Sequence, residues 1–368
     1  MRVLRRSGAI AVLLFLLSGV TSAVQTLPQQ LSDAAFWKLI EDESEATQPF
    51  PGENYVSNEP KYAAAVRSLK QSVMPGGVFL GVGPEQNFNY IAAQRPKLAF
   101  VVDIRRQNLI EQLMYKALFD IADDRADFVS RLFSRKRPDG LETASTAREL
   151  MDAYGTAPES QPAYEENLAA IRRNLSQKHN FHLSGEDNAE LEQVFKIFAR
   201  AGAQTNYHSP VRPNAYMPSY AALMTTADED GNGVSYLATE ESYRFVRDLE
   251  RHNLIVPLVG DFAGAKTLRS IGSYLKQYDA TVRVFYLSNV ESYLWAGSGP
   301  NAPSAAIRLA APNGGWKTFF ANVAALPLDS SSTFIRYRGA TGDAHFASIQ
   351  KNLAAMKSGL VKTLDDLY

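Results

Sequence analysis

Short apolar runs alternate with stretches of helical spacing in the first half of the chain. Residues 78–84 and 98–103 predict buried strands, the first leading into a glycine-rich turn and the second ending in an acid. Residues 86–94 and 106–121 follow them with apolar residues at the spacing of helices. A strand–helix–strand–helix series this short is typical of a right-handed βαβ unit in a parallel sheet.

The same alternation returns in the second half of the chain. Residues 254–259 and 281–287 predict further buried strands, and predicted helices over 240–252 and 265–278 precede them. The remaining predicted elements are a helix over 316–323, a late strand over 332–338 and a closing amphipathic helix over 344–356.

Residues 138–235 interrupt this alternation with polar helices, which end in an irregular loop over 206–220 that is rich in proline and tyrosine. We therefore predict an α/β protein with a Rossmann-like, mostly parallel sheet and a helical insertion. The predicted divisions are a signal peptide over 1–23, an N-terminal extension over 24–54, the first half of the α/β domain over 55–137, the insertion over 138–235, the second half over 236–340 and a C-terminal helix over 341–368.

The N-terminus has the features of a signal peptide. Three arginines stand among the first six residues, residues 9–20 are apolar, and small residues precede a cleavage site after Ala23. The apolar run is shorter than the roughly 20 residues that span a bilayer. We expect an exported protein, periplasmic or secreted, with no membrane span after cleavage; the alternative is an uncleaved signal that anchors it to the membrane.

The composition is that of a globular protein and narrows the chemistry. The chain is 45% hydrophobic and 21% charged, which excludes wholesale disorder and fibrous rods. A net charge of −1 gives no overall electrostatic reason to expect a nucleic-acid partner. The absence of cysteine excludes disulfides, iron–sulfur clusters and a thiol nucleophile.

The first candidate site lies at the ends of the first two predicted strands. Gly81 and Gly83 allow a sharp turn and close approach to a ligand, and Asp103 is placed to accept hydrogen bonds from ribose hydroxyls. Glu85 would bring negative charge to the helix N-terminus, which argues against a pyrophosphate there. The prediction is a nucleoside site; the alternative is a tight turn that binds nothing.

Two later strands also end in polar residues. Asp261, with Phe262 beside it, is placed to accept a hydrogen bond from a base, or alternatively to cap the following helix. Ser288 and Asn289 are candidates to bind the substrate, and Glu291 is a candidate base. The alternative for Ser288 and Glu291 is a capping box.

Two patterns typical of metal sites are incomplete. Residues 228–233 resemble the start of a calcium loop, but Thr239 stands where the loop requires its bidentate carboxylate. His179, His182 and His208 lack an accompanying acidic ligand pattern. We therefore expect no metal cofactor, and the common hydrolase and P-loop signatures are also missing from the sequence.

Four short sequence segments resemble those of known families: GVGPEQNF, VVDIRRQN, VGDFAG and FYLSNVE. They resemble class I S-adenosylmethionine-dependent methyltransferases, and also a bacterial family of unknown function with that fold, over roughly residues 55–340. The resemblance implies a methyltransferase-like sheet and S-adenosylmethionine as the cofactor. Active members carry an acid for the methionine ammonium where this chain has Phe79 and Leu80, and Glu85 is the candidate to replace it.

Two functions follow from these observations. In the first, the 81–83 loop, Asp103 and Asp261 bind S-adenosylmethionine or a related nucleoside for methyl transfer, which chiefly requires that the acceptor be held in line with the sulfonium. In the second, the same fold is a non-catalytic module that binds a ligand or a protein, because a fold does not by itself fix a function. The sequence identifies no particular protein partner.

Overall fold

A computed structural model describes residues 26–50, 52–208, 217–296, 315–339 and 342–368. The predicted signal peptide and most of the loop over 206–220 lie outside these residues. No helix within the described ranges combines the length and the apolar character needed to cross a membrane.

The described strands form one sheet in the order β3-β2-β1-β4-β5-β6. Neighbouring strands are parallel from β3 through β5, and β6 runs antiparallel to β5. This arrangement confirms the predicted Rossmann-like, mostly parallel sheet. The strands are β1 Val78–Gly81, β2 Leu98–Asp103, β3 Ile255–Val259, β4 Val282–Ser288, β5 Thr333–Tyr337 and β6 Ala344–Ser348.

Helices cover the sheet, and turns and irregular segments connect them. We number the helices in chain order. They are α1 Asp33–Glu43, α2 Ala63–Ser72, α3 Gln86–Gln94, α4 Arg106–Ile121, α5 Arg125–Phe133, α6 Ala147–Thr156, α7 Gln161–Arg173, α8 Gly185–Ala201, α9 Tyr220–Met224, α10 Glu240–Arg251, α11 Thr267–Gln277, α12 Val290–Ala296, α13 Trp316–Val323 and α14 Ile349–Lys357.

The first βαβ unit forms where the sequence predicts it. Every residue of β1 and β2 is buried, as expected for parallel strands with helices on both faces. Helix α3 ends at Arg95, which has a left-handed backbone (φ 54°), and Pro96 follows. Helix α4 begins after β2 and has the predicted bounds.

The predicted helical insertion is also observed. The described residues between 138 and 235 form helices α6 to α9 and contribute no strand to the sheet. Helix α8 packs against α4 and α5. Its N-terminus is closed by a capping box of Ser184 and Asp187, and Arg106 of α4 binds the same aspartate through two nitrogens.

The prediction of a C-terminal helix over 344–356 is wrong for its first five residues. Residues 344–348 form β6, and α14 begins only at Ile349. The reason is that β5 would otherwise leave its edge unpaired, and β6 satisfies the backbone groups of that edge. Ser348 joins the two elements, because its hydroxyl accepts from the backbone N–H of Lys351 and caps the helix.

Candidate functional site

A cleft opens at the carboxyl ends of β1 to β4. Its walls come from the N-terminal extension, from the segments that follow β1, β2 and β3, and from the end of β4 together with α12. It encloses about 950 Å³, its open mouth included. Because the strand order reverses between β1 and β4, this is the switch point at which open α/β sheets bind ligands.

The glycine turn after β1 forms part of this cleft. Gly83 lines it with a φ of 79°, a conformation that favours glycine. Gly81 has a different role, since a Cβ there would stand 1.9 Å from Oδ1 of Asn87. The Nδ2 atom of Asn87 lies 3.0 and 2.8 Å from the carbonyl oxygens of Val82 and Pro84, so Gly81 makes room for the side chain that closes the turn.

Glu85 lies behind the turn and is fully buried. It does not line the cleft, and both carboxyl oxygens are 3.2 Å from the backbone nitrogen of Ser57. Burial raises the pKa of Glu85 to about 8, against the lowering effect of these hydrogen bonds. In this position Glu85 cannot touch a ligand ammonium in the cleft, which was its expected role.

Asp103 lines the cleft but is engaged by Arg105. Its Oδ1 accepts from the backbone nitrogen and Nε of Arg105 at 2.9 and 3.1 Å, and its Oδ2 accepts from Nη2 at 3.2 Å. Both side chains are buried. Because a carboxylate has about four acceptor positions, the pair leaves about one for a ligand hydroxyl.

Asp261 follows β3 and lines the cleft on its other side. Its Oδ1 accepts from the backbone nitrogen of Ala263 at 2.8 Å, which forms a local turn and not a helix cap. The nitrogens of Lys266 and Thr267 at the start of α11 instead donate to Oε1 of Glu45. Burial is the main cause of the raised pKa of Asp261, and the nearby charge of Glu45 adds to it.

Phe262 packs mainly in the hydrophobic core and exposes little of its surface to the cleft. It lines the cleft, but only 4% of its surface is exposed. Its ring centroid lies 5.0 Å from that of Phe285 and 5.9 Å from that of Phe319, so most of the ring is committed to packing. A ligand ring can therefore contact only a small part of Phe262.

Some of the residues at the end of β4 line the cleft, and others are buried away from it. Ser288 and Asn289 line the cleft, and Ser288 has a φ of 50° where the pairing of β4 with β5 shifts register. Glu291 is buried away from the cleft, with its Oε2 3.0 Å from Nε of Arg336. Burial raises the pKa of Glu291 to about 7, and the charge of Arg336 opposes that shift.

The structure adds Glu59, which no motif in the sequence indicates. Glu59 is 1% exposed, and its carboxylate accepts from the hydroxyls of Tyr286 at 2.7 Å and Ser288 at 2.5 Å. Burial raises the pKa of Glu59 to about 7, although both hydrogen bonds act to lower it. Since 229 positions separate Glu59 from Ser288, only the fold brings them together.

The N-terminal extension forms a wall of the cleft, which the sequence did not predict. Phe50 lines the cleft, and its ring stacks edge-on against Tyr293 of α12 at 5.4 Å. The guanidinium of Arg105 lies 5.5 Å from the centre of the same ring. Glu45 fixes the extension to the far side, because its Oε2 accepts from the nitrogen of Asp261 at 3.0 Å.

The residues considered for metal binding have other contacts. His179 bridges two acids, with Nδ1 2.8 Å from Asp33 and Nε2 3.1 Å from Asp120, and thereby ties α1 to α4. In the calcium-like loop, Oδ1 of Asp228 accepts from the backbone of Asn232 at 2.8 Å. Within the described ranges, no group of three or more histidines and acids is placed to hold a metal ion.

The sheet and the cleft define a Rossmann-like α/β protein with a cleft at its switch point. No curated protein matches the chain. Residues 55–360 match the model of a domain of unknown function (DUF7790), and the chain belongs to this family. The matched range includes Glu59 and the strand ends of the cleft but not α1 or Phe50.

Proposed function

We propose that the cleft binds a nucleoside-like molecule, S-adenosylmethionine in the first place, and that the protein transfers its methyl group. One observation carries the proposal: Gly83, Asp103 and Asp261 lie at the carboxyl ends of three adjacent strands and line the same cleft. The resemblance of the same strand ends to class I methyltransferases supports this ligand.

The charges of the cleft favour a ligand without phosphates. Arg105 is the cation that lines the described part of the cleft, and Asp103 already pairs with it. An uncharged or cationic nucleoside therefore suits the cleft better than a nucleotide.

A second candidate function is non-catalytic binding in the same cleft. The pairing of Asp103 with Arg105 favours it, because this carboxylate has little capacity left for a ribose. The position of Glu85 favours it too, since this acid does not reach the cleft where a methionine ammonium would need it. The two functions share a site and differ in whether a methyl group is transferred.

We expect S-adenosylmethionine and S-adenosylhomocysteine to bind, and Asp261→Asn to weaken binding about 10- to 100-fold, because the amide replaces an acceptor with a donor. Asp365→Asn is the matched control, since it removes the same charge from an exposed residue near the C-terminus. Calorimetric titration gives the affinities. Ligand at 100 times its dissociation constant should also add about 2.7 kcal/mol of stability.

Two results would count against this proposal. If the wild type binds neither compound at millimolar concentration, the cofactor is rejected and the non-catalytic function takes its place. If Asp261→Asn binds as tightly as Asp365→Asn, the ligand does not contact Asp261. Binding of S-adenosylmethionine without methyl transfer to any supplied acceptor would favour the second candidate function.

We also propose that the protein is exported. The charged, apolar and small-residue segments of residues 1–23 support cleavage after Ala23. N-terminal sequencing of the protein from its native host should therefore begin near Val24. An intact Met1 on protein from the membrane fraction would indicate the uncleaved anchor, and an intact Met1 on cytosolic protein would reject export.

A further inference from the structure

Ser288 and Tyr286 both line the cleft, and the hydroxyls of both residues donate to the carboxylate of Glu59 behind it. A serine or tyrosine hydroxyl has a single hydrogen to donate. Oδ1 of Asn289 also lies near the hydroxyl of Ser288, at the longer distance of 3.4 Å. When Glu59 is ionised, both hydrogens point toward it, and the two oxygens can offer a ligand only their lone pairs.

We infer that Glu59, Ser288 and Tyr286 form a recognition site for a protonated amine of the ligand. The inference rests on the proposed function, because it names the ligand group that the β4 side of the cleft receives. Ser288 and Tyr286 contact the ammonium, and Glu59 is the positioning residue that holds both hydroxyls as acceptors. The backbone of Ser288 supports this role, since its left-handed φ of 50° is of a kind that concentrates at binding sites.

Within the described residues, the two hydroxyls that hydrogen-bond to Glu59 carry no positive charge to compensate it. In the described parts of the chain, the ionisable groups that interact with it are four tyrosines and one acid: Tyr90 of α3, Tyr286 of β4, Tyr337 of β5, Tyr368 and Glu85. A ligand ammonium at Ser288 and Tyr286 would be the missing counter-charge. A carboxylate ligand at the same place would instead be repelled.

Because Glu59 is buried without a counter-charge among the described residues, binding of an ammonium also changes the protonation of its carboxyl. Burial raises the pKa of Glu59 to about 7, so the carboxyl is partly protonated near neutral pH in the free protein. An ammonium favours the ionised form and lowers this pKa, and its binding therefore releases protons near pH 7. Below pH 7 the amine has to compete with the proton on Glu59, and its affinity falls by up to about tenfold per pH unit.

The test compares S-adenosylhomocysteine with its N-acetyl derivative, which keeps the nucleoside and the carboxylate but lacks the ammonium. We expect the wild type to prefer the free amine by at least about tenfold at pH 8, a difference of about 1.4 kcal/mol. Glu59→Gln should abolish the preference. The matched control is Glu111→Gln, which replaces another fully buried carboxyl that does not line the cleft and should keep the preference.

Proton release distinguishes this role from a merely structural one. Calorimetry at pH 7 in two buffers with different ionisation enthalpies should show release of protons with the wild type and none with Glu59→Gln. If Glu59→Gln does not fold, the pH dependence of binding to the wild type tests the inference instead. Its preference for the free amine must increase between pH 6 and pH 8, and a preference independent of pH would overturn the inference.

A second pair of probes separates this inference from the proposed function. Methionine amide carries the ammonium without the nucleoside, and N-acetylmethionine amide lacks both. Glu59-dependent binding of methionine amide, observed by saturation-transfer NMR, supports the amine site even if no nucleoside binds. Equal binding of free and acetylated probes to the wild type, or binding of no amine probe at all, refutes the amine site.

Discussion

Replacing Asp103 with alanine is expected to destabilise the protein by about 3–5 kcal/mol, because it leaves the buried guanidinium of Arg105 without its partner. The three hydrogen bonds from Arg105 to this carboxylate would be lost together. The measurement is the free energy of unfolding from urea titrations at neutral pH. The pair lies at the end of β2, so the loss should also disturb the cleft.

A double variant is the control for this prediction. Asp103→Ala with Arg105→Met removes both charges and keeps an apolar side chain against Phe50. Most of the lost stability should return, since no uncompensated charge stays buried. A single variant that costs less than about 1 kcal/mol would show that Arg105 is solvated in solution and that the pair does not stabilise this edge of the sheet.

The free energy of unfolding is expected to be greatest near pH 5 and to fall by several kcal/mol toward pH 8. Burial raises the pKa values of several carboxyls above those of the unfolded chain, so the folded state binds more protons over this range and loses stability as the pH rises. A single carboxyl raised from 4.5 to about 7 accounts for about 3 kcal/mol. The carboxyls with raised pKa values are those of Glu59, Glu85, Glu111, Glu190, Glu250, Asp261 and Glu291.

Stability should also decline below about pH 4, for the opposite reason. Burial alone would raise the pKa of Asp120, but hydrogen bonds from His179, Lys178 and Asn174 outweigh it and lower that pKa. This contribution is present above the unfolded pKa and is lost as the pH falls through the folded value.

Urea titrations between pH 3 and pH 8 test both predicted losses of stability, the one toward pH 8 and the one below about pH 4. Glu85→Gln should flatten the decline between pH 5 and pH 8, because it removes one carboxyl with a raised pKa. Asp365→Asn, at an exposed site, should leave the profile unchanged. A wild-type stability that rises steadily from pH 5 to pH 8 would mean that water reaches these carboxyls.

The spacing of apolar residues was sufficient to predict the five parallel strands of the sheet and the edge at which the cleft lies. Apolar strands followed by amphipathic helices can bury both faces of the strands only as βαβ units, and the carboxyl ends of parallel strands then share one edge. For this reason Gly83, Asp261, Ser288 and Asn289 line one cleft, as their positions after strands predicted. Local patterns also placed α4 and α13 correctly, because helical periodicity depends on neighbouring residues.

The tertiary structure alone decided how the polar groups of the cleft are paired. The sequence put Asp103, Glu85 and Glu291 at strand ends, but the engagement of Asp103 by Arg105 and the burial of the two glutamates depend on packing. Glu59 and Glu45 reach the site across 229 and 216 positions of the chain. Contacts over such separations leave no periodic pattern in the sequence, because they depend on how whole elements pack and not on the spacing within any one of them.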